Sequence, residues 1–179
     1  MAASVEVFDE MKRFYDFTDQ DVANLGELAG AFAKHGGHIT DSFYENLAKF
    51  PATQRLIEGR VDMLKATHGR WMTELFQGNY GEDYFNNRLR IGKAHVRIGL
   101  DPYYVEGVMS YLRSAGLMAI REEVSDGKRA AELTSSFLKI LDIDLMIINL
   151  AYSQETIERL SQFTGMSKKL IERCVQLKK

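Results

Sequence analysis

Four histidines occur among the 179 residues, and two of them stand where an imidazole could do chemistry. At about 3.6 residues per turn, Tyr84, Arg88, Ile91 and His95 share one helix face, so His95 borders a buried side near the end of an amphipathic stretch. His68 lies in the middle of another apolar stripe, Val61, Leu64, His68, Trp71 and Leu75, and is expected to point inward. A neutral imidazole on such a face is either a core residue with satisfied ring nitrogens or a metal ligand. For His68 the first reading offers Tyr44 as a hydrogen-bonding neighbour. Tyr44 sits one step round from the stripe Ile39, Phe43, Leu47 and Phe50, an ordinary core position from which a hydroxyl is led to a carbonyl or water. His35 and His38 flank Gly36 and Gly37 and read as residues of a polar turn, without the further ligands a metal site needs.

The elements that must position these groups are helical throughout. Only two prolines occur, Pro51 and Pro102, and long stretches pass without turn-forming clusters. A short amphipathic helix over residues 5–15 precedes the main body. Thr18 with Asp21 reads as a helix start, followed by the stripe Val22, Leu25, Leu28, Ala29 and Phe32, which is expected to end at Gly36 and Gly37. Helices are then expected from about Thr40 to Phe50 and from Val61 to Phe76, with a connection around 54–59 between them. Gly78, Asn79 and Gly81 make the turn into the helix carrying His95. Gly99 suits the left-handed end of that helix, Asp101 a cap and Pro102 a first helical position. The next helix carries Val105, Val108, Met109, Leu112, Gly116 and Ile120 and stops near Ser125. The last long helix is apolar on two faces: Phe137, Leu141, Leu145, Ile148 and Tyr152 form one stripe, Ile140, Ile143, Ile147 and Leu150 another. A monomer core needs one stripe, so the second implies a partner, most simply the same helix pair of a second copy. Beyond Gln154 the pattern weakens, and Met166, Leu170, Ile171, Cys174 and Val175 resume it.

The totals narrow the function classes. A net charge of −2 with interspersed signs argues against nucleic acid. A single cysteine, Cys174, forms no disulfide within the chain. No apolar signal core opens the sequence, and the apolar run from Phe137 to Tyr152 is interrupted by Lys139, Asp142 and Asp144, so it does not read as a membrane span. A cytoplasmic location is the expectation.

The phrase His95-Val-Arg-Ile-Gly-Leu-Asp-Pro102, preceded by the turn Arg90-Ile-Gly-Lys-Ala94, resembles the proximal-histidine segment of globin-coupled sensors, the haem-containing globin domains of bacterial signalling proteins. The resemblance extends from about Phe14 to about Tyr152 and is most specific here. It implies an all-α globin fold with an extra N-terminal helix and an extended C-terminal helix, haem b as cofactor and His95 as the proximal iron ligand. Ser42-Phe-Tyr-Glu-Asn-Leu47 resembles the family's second helix, which gives Tyr44 the role of hydrogen-bond donor on the distal side. His68 departs from the commonest distal pattern, because imidazole can itself bind iron; its two readings are a pocket residue and a second axial ligand opposite His95. Phe43, Leu64, Thr67, Trp71, Ile91 and Ile98 would complete the cofactor's surroundings, and Arg90, Lys93 and Arg97 are candidates for its propionates.

The function that follows is a haem-based sensor of a diatomic gas (O2, CO or NO) or of redox state, without a catalytic residue. Residues 1–155 would form the sensor domain and 156–179 a helical linker toward a C-terminal output domain, with a homodimer through the last two globin helices. Two rivals are a haem enzyme, either a nitric oxide dioxygenase or a peroxidase-like protein, and a haem-free globin-like signalling module.

Overall fold

A computed structural model describes residues 4–176, and among these every regular element is an α-helix. The helices are α1 (Val5–Phe14), α2 (Asp19–Leu47), α3 (Pro51–Ile57), α4 (Val61–Glu74), α5 (Glu82–Arg97), α6 (Pro102–Glu123), α7 (Gly127–Thr164) and α8 (Lys168–Gln176). The all-helical expectation holds, including the extra helix at the N-terminus. Phe8 of α1 is fully buried and stacks on Phe85 at 5.4 Å and Tyr84 at 6.5 Å, so α1 packs against the start of α5. At the start of α2, the Thr18 N–H donates to the Asp21 carboxylate at 2.8 Å, which supplies the expected capping box.

The long α2 corrects the expected break at Gly36 and Gly37. Glycine within a helix costs about 1 kcal/mol relative to alanine, but a Cβ at Gly36 would lie 2.9 Å from the Met72 Sδ. Gly36 thus sits inside a continuous helix against the Met72 side chain of α4, where packing between the two helices outweighs local propensity. Ala29 and Phe50, expected in the buried stripes, are exposed. Phe50 caps α3, and Pro51 begins that short helix where an unstructured connection was expected.

Helix α7 is the organising element. It contacts α1, α2, α5, α6 and α8. Ile140, Ile143 and Ile147 are fully buried within one chain, as are Leu141 and Ala151. The second apolar stripe is therefore satisfied inside the monomer, and the homodimer expectation loses the observation on which it rested. Gly92 of α5 meets α7 so closely that a Cβ would fall 2.6 Å from the Ala151 Cβ and 3.1 Å from the Ile148 backbone. That approach seats α5 on α7 one turn before His95. Gly99 closes α5 with a φ of +72°, and Pro102 opens α6 as expected, although the Asp101 side chain makes no capping hydrogen bond. α7 continues without interruption through residue 155 to Gly165, which has a left-handed φ of +72°. The chain then turns into α8, where Ile171 is buried and Leu170, Cys174 and Val175 are exposed. Among the described residues, no helix is long and apolar enough to cross a membrane.

Candidate functional site

Helices α2 and α4 bring together Phe43, Tyr44, His68 and Trp71. The His68 ring lies 5.2 Å from Phe43, 6.2 Å from Tyr44 and 5.1 Å from Trp71, measured between ring centroids. Its Nδ1 is 2.9 Å from the Thr40 hydroxyl, and its Nε2 is buried without a hydrogen-bond partner among the described residues. The expected polar neighbour, Tyr44, is thus replaced by Thr40, one helical turn before it on α2. Tyr44 touches His68 through its ring in an edge-on arrangement, and its hydroxyl has no hydrogen-bonding partner among the described residues. Phe43, Tyr44 and Ile57 form an apolar cluster into which Leu64, Val61, Leu47, Val108 and Tyr111 also pack. Between α2 and α4 a cleft of about 500 Å³, lined in part by Gly36, Gly37 and Gly69, reaches Thr40.

His95 occupies the last turn of α5, half-buried, with Nδ1 buried and unpartnered among the described residues. No carbonyl or carboxylate partners that nitrogen among the described residues. The nearby carbonyls of Ala94, His95 and Val96 accept from the Ile98, Leu100 and Gly99 amides, which close the helix. Burial lowers the pKa of both imidazoles, His68 to about 4, so each is neutral near pH 7 and carries a lone pair. Burial also raises Tyr44 to about 12, so its O–H remains a donor.

The remaining candidates separate. Ile91 packs on the main core. Thr67 is exposed and donates to the Met63 carbonyl at 2.9 Å, away from the His68 face. Ile98, at the end of α5, is 42% exposed. Arg90 and Arg97 are exposed, and Arg90 reaches Asn87 at 3.0 Å. His35 binds Glu123 of α6 at 2.8 Å through Nε2, and His38 is exposed. The two therefore face different surroundings.

A buried polar network went unforeseen. Arg88, fully buried on α5, donates to Asp144 of α7 at 2.9 Å, to the Trp71 carbonyl of α4 at 3.3 Å and to Glu74 of α4. Asp144 also accepts from the Trp71 indole at 2.8 Å and from the Tyr84 hydroxyl at 2.5 Å. Burial works against the Arg88 charge, but Asp144, Tyr84 and Glu74 more than offset it and hold its pKa above the ordinary value. Trp71 carries this network to the ring of His68, and Arg88 precedes His95 by two turns of the same helix. The signal was present in the sequence: a charged residue on the stripe of Tyr84 and His95, and an acid inside the apolar run of α7.

These helices and the two neutral, incompletely partnered imidazoles define an all-helical globin. The chain belongs to the Protoglobin family, whose model matches residues 5–158. It is 29% identical over 159 residues to the heme-based aerotactic transducer HemAT of Halobacterium salinarum, a match spanning 82% of this chain and 32% of that protein. The chain thus spans about a third of the length of that curated relative. Among solved structures, the globin domain of the Geobacter sulfurreducens globin-coupled sensor matches with a TM-score of 0.77 and 34% identity, over 80% of this chain and 96% of that one. The ferric globin domain of E. coli DosC matches with a TM-score of 0.68 at 18% identity, over 79% of this chain and 97% of that one, a likeness of fold.

Proposed function

We propose that this chain is the haem-binding sensor part of a signalling protein, with His95 as proximal ligand and His68 as a second, displaceable ligand. The observation that carries the reading is the pair of half-buried neutral imidazoles, each with one buried ring nitrogen that has no hydrogen-bond partner among the described residues. Such an orphan is costly in a finished core, so it fits a partner supplied from outside the chain. Haem b, when bound, would supply an iron that His95 and His68 could hold through ring nitrogens and to which a diatomic gas could bind.

The chain's own residues divide the remaining work. His95 holds the cofactor to α5. His68 competes for the position a gas would take, and apparent gas affinity falls by the fraction of molecules in which that position is open. The Tyr44 hydroxyl, protonated and unengaged, is the donor toward a bound gas, and Phe43, Leu64 and Ile57 exclude water around it. Movement of α4 or α5 reaches α7 through Arg88 and Asp144, which supports relay to a C-terminal output domain as in a longer transducer. A homodimer through α6 and α7 stays in this reading, resting now on the exposed Met118 and the half-buried Leu145 and Met146. The location proposed is the cytoplasm.

The test is reconstitution with haem followed by carbon monoxide addition to the reduced protein. Wild type is expected to take up one haem per chain and to bind the gas. His95→Ala is expected to lose most of the haem or to show a changed axial ligation, and unchanged haem content with an unchanged spectrum would overturn the assignment.

A further inference from the structure

Thr40 lies on α2 and is 5% exposed, with its hydroxyl 2.9 Å from His68 Nδ1. Nothing in the residue's type or spacing marks it. Among the described residues this is the one polar contact of the His68 ring; the rest of its surroundings is aromatic, Phe43, Tyr44 and Trp71. The other ring nitrogen, Nε2, is buried and has no partner among the described residues.

A neutral imidazole has one N–H and one lone pair, and a threonine hydroxyl can either accept or donate. Two arrangements are therefore open. If Thr40 donated to Nδ1, the N–H would sit on Nε2 with no acceptor. If Thr40 accepts from Nδ1–H, Nε2 carries only a lone pair. Each arrangement leaves one donor unpaired among the described residues, Nε2–H in the first and the Thr40 O–H in the second, and the second is the one in which Nε2 can bind a metal.

We propose that Thr40 is the positioning residue for His68: by accepting from Nδ1–H it fixes the tautomer whose free Nε2 ligates, and by tying the ring to α2 it sets how readily that ligand leaves. The proposal rests on the reading of His68 as a haem ligand. A partner that orients a ligating histidine typically changes metal affinity by about 10- to 100-fold. Removing it weakens His68 against an incoming gas by a comparable factor.

Thr40→Val keeps the side-chain shape without the hydroxyl, and Thr40→Ser keeps the hydroxyl. Three readouts are made on wild type and both variants, with His68→Ala as reference. They are the low-spin fraction of the haem-loaded protein, the carbon monoxide association rate after reduction, and the 15N shifts of the His68 imidazole in the haem-free protein. The expected result is an Nδ1–H tautomer in wild type and in Thr40→Ser, lost in Thr40→Val. The valine variant should also lose low-spin fraction and bind carbon monoxide at least tenfold faster, with serine restoring the wild-type values. If His68→Ala changes the spectrum and Thr40→Val does not, the proposal falls while the ligand reading stands. Serine behaving like valine would equally overturn it, since shape and not the hydroxyl would then matter. A spectrum indifferent to His68→Ala overturns both together.

Discussion

At the scale of single residues, the account turns on imidazoles that burial keeps neutral. His68 titrates near 4 in the folded chain against an ordinary value of 6.5. A folded pKa below the unfolded one means that the unfolded chain takes up protons first as pH falls. The stability contribution is complete above about 6.5 and is lost on descending toward 4. Urea unfolding of the haem-free protein should show roughly 2 kcal/mol less stability at pH 5 than at pH 7 from this residue alone. His68→Leu should flatten that slope, and a slope unaffected by the substitution would show that the ring is not desolvated as described. Tyr44 yields a second expectation. Tyr44→Phe removes the unengaged donor and should speed oxygen dissociation from the haem-loaded protein by roughly tenfold, the effect of about one hydrogen bond. Stopped-flow kinetics would read it, and an unchanged rate would remove Tyr44 from the gas site.

The positions of His68, Phe43, Tyr44 and Trp71 were legible because helical spacing reports which residues share a face. Their polar partners were not. Thr40 and Asp144 become neighbours of His68 and Arg88 only after α2, α4, α5 and α7 are packed. Spacing on one helix carries no information about residues 28 or 56 positions away. Thr67 illustrates the limit from the other side, since one residue of register, about a quarter turn, separates His68's inward position from Thr67's exposed one.

Among the elements, α5 is held by a close glycine contact and by buried charge. Arg88 ties α5 to both α4 and α7, and its removal would leave Asp144 ionisable, fully buried and short of its main partner. Breaking such a pair typically costs about 3–5 kcal/mol, so Arg88→Met should lower the chemical unfolding midpoint by a correspondingly large amount. A midpoint near that of wild type would mean that Asp144 finds other compensation and that the network holds nothing together. Most helix boundaries followed from caps, prolines and glycines in the sequence, as at Thr18, Gly81, Gly99 and Pro102. The break expected at Gly36 and Gly37 did not: α2 runs through both, and of the two only Gly36 lies against α4, at Met72. Local sequence does not distinguish a glycine that ends a helix from one inside it.

For the whole molecule, the decisive feature is the placement of α7. Its two apolar stripes suggest an oligomer when the helix is considered alone, yet both are largely consumed by packing within one chain. The same central position lets α7 receive the network from the helices of His68 and His95 and continue to Thr164, beyond the part of the chain matched by the family model. In the proposed function, sensing and relay fall to one continuous element. The most direct test of the central claim is the absorption spectrum of the haem-reconstituted protein, ferric and reduced, compared with that of His68→Ala. The account predicts a six-coordinate low-spin haem in wild type that becomes high-spin or water-ligated in the variant. Failure to bind haem, or a spectrum that the substitution leaves unchanged, would contradict it.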